Sequence, residues 1–119
     1  MASQQEQLRD RTKAFAVRVV RVYRTLPYKT DAQILGKQLL RSGTAVAANY
    51  RAACRARSKA EWIAKIGIVV EEADETVFWL EMLCDCEIVS RERLRELTTE
   101  AQELSALFTA SQHTARTGA

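Results

Sequence analysis

Residues 58–83 read SKAEWIAKIGIVVEEADETVFWLEML. The first four, Ser58-Lys59-Ala60-Glu61, form an S-x-x-E capping box, in which a serine oxygen accepts a backbone N–H of the first helical turn. Behind it, Trp62, Ile66, Val69, Ala73, Val77 (or Thr76), Leu80 and Leu83 recur at steps of three and four, which places them on one face of a helix. Glu71, Glu72, Asp74, Glu75 and Glu81 make the remainder acidic. The stretch is an amphipathic helix of about seven turns, and a helix that long needs partners along its whole apolar face.

The flanking sequence supplies three. Upstream, Leu8, Thr12, Phe15, Val19, Val22 and Leu26 mark a first helix over about residues 4–26, ended by Leu26-Pro27-Tyr28 because the residue before proline avoids the α region. Thr30 is a good N-cap for a second helix, and Asp31 favours its positive end. The inner stripe of that helix reads Leu35, Leu39, Ser42, Val46, Asn49, Ala53 and Ala56, with Gly36, Gly43 and Ala47 on a neighbouring line. So thin a stripe predicts close approach of another helix, since each glycine costs about 1 kcal/mol against alanine in a helix interior. Downstream the pattern breaks around Asp85 to Val89. Ser90 then caps a fourth helix with Leu94, Leu97, Ala101, Leu104, Phe108 and Ser111 inside. The expected fold is all-α, an antiparallel up-down-up-down four-helix bundle over residues 1–112, with residues 113–119 a disordered tail. The runners-up are an extended helical hairpin that completes its core by oligomerising, and a helical DNA-binding fold, for which the chain shows no short turn-plus-recognition-helix pattern.

The chain has 119 residues, one proline (Pro27) and four glycines, which suits a single helical domain and argues against a turn-rich β fold. No apolar run approaches the roughly 20 residues that span a bilayer, and no secretory signal is visible in the first residues. Together with an odd count of three cysteines, this points to a reducing cytosol and no membrane partner. Charge is unevenly divided: residues 1–65 carry fourteen Lys/Arg against four acids, net +10, and residues 66–119 carry four against eleven, net −7.

That asymmetry is the clearest functional sign. Lys37, Arg41, Arg51 and Arg55 fall on one line of the second helix, and Arg11, Arg18 and Arg21 lie beside the apolar stripe of the first. Cations so arranged can neutralise phosphates of RNA or DNA. The same residues would also serve as a solvated face, or as partners of the acidic helices within or between subunits. Ser42 and Asn49, one heptad apart, are candidate polar contacts that set helix register, or lie at the rim of the core. Tyr50, Phe78 and Trp79 fall off or beside their stripes, as aromatics that anchor an oligomer interface do. Catalysis finds little support. Glu72, Asp74 and Glu75 have no histidine beside them, the only one being His113, and Cys84-Asp85-Cys86 matches no zinc spacing. There is no Gly-rich phosphate loop or nucleophile motif, and no metal or cofactor is called for.

The run GKQLLRSGTAVAANYRAACRARSKAEWIAKIGIVVEEADETVFWLEML, residues 36–83, resembles the bacterial four helix bundle protein family. That family includes the proteins encoded in intervening sequences of 23S ribosomal RNA genes and, as a related type, the accessory variability determinant of diversity-generating retroelements. The matching features are LLRSGTAVAANY, then ARSKAEW, then EEADE and WLE, in order. The resemblance implies an antiparallel four-helix protomer assembling into a ring-like homo-oligomer, often a pentamer. In the retroelement branch it also implies a basic surface for nucleic acid and a reverse-transcriptase partner. Arg41, Asn49, Arg57, Ser58, Glu61 and Glu75 fall on the family's recurrent polar positions. The usual N-I-A-E-G segment reads Asn49-Tyr50-Arg51-Ala52-Ala53 here, replacing an acid and a glycine and adding a basic residue.

Overall fold

In a computed structural model, which describes residues 2–118, four helices follow one another: α1 Gln4–Arg24, α2 Thr30–Ala53, α3 Lys59–Asp85 and α4 Arg91–Thr117. Five-residue connections join them, too short for anything but antiparallel neighbours. Each helix packs on the next, and α1 also borders α4, the loosest of the four seams. The result is an up-down-up-down bundle, a rod of 46 × 27 × 21 Å.

Helix starts follow the capping chemistry. Ser58 accepts from the Glu61 N–H and Ser90 from the Arg93 N–H, as expected, and Ser3 does the same for Glu6 at the head of α1. At α2 the cap position falls on Lys29 with no side-chain bond, and Thr30 is already helical. Helix α1 ends at Arg24 rather than Leu26. The Thr25 hydroxyl donates to Val22 O, and Leu26, extended ahead of Pro27, turns back into the core.

The greatest departure lies at the other terminus. Residues 113–117, expected to fray, continue α4 as helix, while Ala119 lies outside the described residues. Gln112 reaches across to the start of α3, its Nε2 3.5 Å from Ile63 O, and Gly118 closes the helix at φ 70°, a left-handed cap that glycine adopts without strain.

The core is one layer between the helices, filled by Phe15, Val19, Leu39, Ile66, Leu80, Leu104 and Phe108, all essentially inaccessible. Its buried line on α2 is only partly the stripe that hydropathy selects. Ala32, Gly36, Leu39, Ser42, Gly43, Val46, Tyr50 and Ala53 face inward, so Leu39, Ser42, Val46 and Ala53 of the expected stripe are buried, while Gly36, Gly43 and Tyr50 take the places expected of Leu35, Asn49 and Ala56. Tyr50 is therefore a core residue, stacked 5.0 Å from Phe108 and edge-on to Trp62 at 6.4 Å, and not an oligomer contact. Asn49 is half-buried and donates to Ala45 O on its own helix, so it sets no register between helices. Ser42 does: the Thr76 hydroxyl donates to Ser42 Oγ at 3.0 Å, fully buried between α2 and α3. Leu35, Val22 and Val77 are only partly buried, and of the pair Val77 and Thr76 it is Thr76 that points inward.

The glycine line takes the close approach its composition predicts. A Cβ at Gly43 would stand 2.8 Å from both methyl carbons of Val19, a buried residue whose branched side chain cannot rotate away. Gly43→Ala is expected to destabilise the bundle by about 1–3 kcal/mol, in spite of alanine's better helix propensity. Chemical denaturation followed by circular dichroism measures this, and an unchanged or raised midpoint would show that α1 yields freely.

Candidate nucleic-acid interface

The bundle separates the cations that the sequence places in one class. Arg11 is committed to α4. Its Nε and Nη2 reach Glu100 at 2.8 and 2.6 Å, and Nη2 also reaches Glu103 at 2.7 Å. Arg41 is committed to α3, through Glu72 at 3.1 Å and through Glu75, whose carboxylate also accepts from Trp79 Nε1 at 3.1 Å. Each is one cation shared by two acids on the neighbouring helix, so the basic half of the chain meets the acidic half at two points. Arg18 lies half-buried along the α1–α4 seam with Arg95, Glu96 and Glu100. Arg21 and Lys37 are exposed towards the end of the rod where α1 stops and α2 begins.

Arg51 and Arg55 have a different setting. Because α1 and α2 run antiparallel, the last turns of α2 face the first turns of α1, and an open groove of about 720 Å³ lies between them. Arg51 and Arg55 form one wall, Arg9 and Lys13 the other, and Thr44, Ala47 and Ala48 make a floor of small side chains. Arg9 and Lys13 are four residues apart on α1, about 6 Å along the helix, and Arg55 follows Arg51 just past the end of α2. Glu6 and Asp10 share the groove, leaving it two positive charges in excess. Among the described residues, none of the four cations enters a salt bridge, in contrast to Arg11 and Arg41.

Arg9 and Lys13 thus join Arg51 and Arg55 in place of Arg11, Arg18 and Arg21. The i, i+4 spacing of Arg9 and Lys13 is visible in the sequence. Their position opposite Arg51 and Arg55 is not, because it depends on how far α1 slides along α2.

The other polar residues singled out are structural. Ser58 caps α3, and Glu61 accepts from the Arg57 N–H, closing the α2–α3 connection. Glu75 joins Arg41 to Trp79. Phe78 is 49% exposed, edge-on to the partly buried Trp79 at 4.9 Å. Ile34 (58% exposed) sits two turns from Arg41 on α2, and Ile68 (44%) two turns from Glu75 on α3. An apolar strip, interrupted by the Arg41–Glu72–Glu75 clamp, therefore lies on the α2–α3 side. All three cysteines are free, and burial pushes the Cys84 thiol up from its ordinary value. Among the described residues no three His, Cys, Asp or Glu side chains come together as a metal site would require, and no helix is long and apolar enough to cross a membrane.

The model of the 23S rRNA-intervening sequence protein family matches residues 4–110, from the first turn of α1 to the last third of α4. The chain belongs to that family. Its fold is shared with the crystal structure of a protein of unknown function from the S23 ribosomal protein family of Bacteroides thetaiotaomicron, 35% identical, with a TM-score of 0.86 over 94% of this chain and all of the other. No curated protein matches. The fold and lineage read from residues 36–83 are thereby established.

The two clamps contribute to the acid response of the bundle. Hydrogen bonds from Arg11 hold Glu100 below the ordinary carboxylate value of 4.5, and those from Arg41 and Trp79 do the same to Glu75. A depressed folded-state value means stability that is complete above the unfolded value and is lost as pH falls through the folded one. The denaturation midpoint should therefore hold steady from pH 7 to about 5 and then drop below about 4.5. Glu100→Gln should lower the midpoint at pH 7 and flatten the acid drop. A variant as acid-sensitive as the parent would show that the Arg11 clamp adds nothing.

Proposed function

We propose that this protein is a non-catalytic nucleic-acid-binding scaffold of the cytosol, taking RNA or DNA by its phosphates along the α1–α2 groove. The observation that carries the reading is the contrast among its cations: Arg9, Lys13, Arg51 and Arg55 line one groove with no salt bridge among the described residues, while Arg11 and Arg41 are each paired with two acids of a neighbouring helix. Unpaired cations along one groove are what phosphate neutralisation needs, because each releases a condensed counterion when it meets the strand. The membership supports it too, in a family whose name ties it to the intervening sequences of 23S rRNA.

Binding of RNA or duplex DNA should be salt-sensitive, with log K falling against log salt at a slope of about −3 to −4 for four contacts. Reversal of Arg51 and Arg55 to glutamate should weaken binding to all sequences alike and reduce that slope by about 2. Fluorescence anisotropy at two or more salt concentrations reads both. Equal affinity and slope in parent and variant would remove the groove from the interface.

A second reading rests on the apolar strip of Ile34, Ile68 and Phe78, which offers a surface for self-association or for a protein partner such as a reverse transcriptase. A ring, with the pentamer as its expected form, would bury this strip and repeat the groove around its rim. Phe78→Glu should lower the mass found by light scattering while circular dichroism stays helical. A parent that scatters as a monomer at tens of micromolar would rule the assembly out.

A further inference from the structure

The run of cations continues past the groove through the α2–α3 connection. Arg55 closes the wall of the groove, Arg57 follows with its side chain 90% exposed and only a loose 3.7 Å pairing to Glu61, and Lys59 opens α3. Lys59 borders a second concavity of about 560 Å³ on the far side of that connection, between the start of α3 and the end of α4. Gln4, in the first turn of α1, borders it as well, half a turn from the Glu6 that borders the groove.

Its lining is unlike that of the groove. Trp62 forms part of its wall, half-buried and held edge-on by the buried Tyr50. Leu107, Ala110 and Ala115 add apolar surface. Ser111 and Thr114 supply hydroxyls, and Lys59 reaches across the mouth so that its Nζ lies 3.7 Å from where a Cβ on Gly118 would stand. Ser111, Thr114, Ala115 and Gly118 all lie beyond residue 110, where the family match stops, and the last three lie within or just after the turns of α4 that the sequence pattern leaves out.

An indole held rigidly on one side, apolar surface beside it, hydrogen-bonding groups at the rim and an ammonium at the mouth are the parts of a base-and-phosphate site. The volume lies within the range of small-ligand pockets. Bases within a duplex are stacked on each other and cannot enter such a site, whereas an unpaired base presents a free face. The cation sequence Arg55, Arg57, Lys59 supplies the path by which a backbone leaving the groove would deliver a base to Trp62.

We infer that the Trp62 pocket takes one unpaired base of the strand whose phosphates lie in the α1–α2 groove, so that the protein prefers single-stranded or looped nucleic acid to duplex. The inference rests on the groove reading and adds to it a preference that the groove alone does not produce: cations select phosphate, and the pocket selects the absence of pairing.

Fluorescence tests it in full-length protein. The chain has two tryptophans, Trp62 and Trp79, so Trp79→Phe leaves Trp62 as the sole indole. Titration with an RNA of roughly 12 nucleotides, long enough to span groove and pocket, should quench Trp62, and the same RNA annealed to its complement should not. A DNA pair in parallel tells whether the sugar matters. Ala110→Glu, at an exposed helical position, places a carboxylate in the pocket without disturbing the core. It should weaken single-strand binding by about tenfold, the scale of one lost stacked base, and leave duplex binding within about twofold. Anisotropy run alongside separates the failures. Equal binding of single strand and duplex, with no quenching and no effect of Ala110→Glu, would overturn the pocket and leave the groove standing. No binding of either strand form at low salt would overturn both.

Discussion

The Ser42–Thr76 hydrogen bond fixes the alignment on which the rest of the bundle depends. The Thr76 hydroxyl lies 2.7 Å from Glu72 O and 3.0 Å from Ser42 Oγ, and Ser42 in turn donates to Leu39 O at 3.3 Å. Each hydroxyl also has a carbonyl of its own helix in reach, and the bond between them adds about 0.5–1.5 kcal/mol at the one register that brings them together. Among the described residues no buried polar side-chain atom is left without a partner. That register sets Arg41, next to Ser42, beside Glu75, next to Thr76, and beside Glu72 one turn earlier, and sets Tyr50 against Trp62.

The second constraint is the small face of α2. Gly36 and Gly43 let α1 lie close, with Leu26 and Val19 filling the space that side chains would take. Close packing at one end of the α1–α2 pair brings Arg9 and Lys13 into the same groove as Arg51 and Arg55 at the other. Packing and electrostatics oppose each other there. Four cations around a shared groove repel, and Glu6 and Asp10 offset only part of that. A surface that retains such repulsion gains from an anionic ligand, which neutralises it. The exposed ion pairs elsewhere are worth little individually, about 0–1 kcal/mol each, but they withdraw Arg11 and Arg41 from any such role.

Much of the fold was legible in the chain. The capping serines Ser58 and Ser90, the periodic stripes of α1, α3 and α4, and the break at Leu26-Pro27 locate all four helices within a few residues. The errors have a common origin. On α2, glycine and alanine occupy buried positions without adding hydrophobicity, so the pattern finds Leu39, Ser42, Val46 and Ala53 but takes in Leu35 and Asn49 instead of Gly43 and Tyr50. At the end of α4, the polar run Gln112-His113-Thr114 carries no apolar signal, yet Gln112 packs across to α3 and the helix persists to Thr117.

The candidate site divides in the same way. The excess of cations in residues 1–65, and their spacing by fours, belongs to the sequence by itself, as does membership of a family recognisable from residues 36–83. Which cations remain unpaired was decided only by the tertiary structure. A helical period states which way a side chain points from its own axis. It says nothing of how far one helix has slid along the next. That displacement, set by Ser42 against Thr76 and by Gly43 under Val19, is what gives Arg11 to Glu100, Arg41 to Glu75, and leaves Arg9, Lys13, Arg51 and Arg55 facing one another across an open groove.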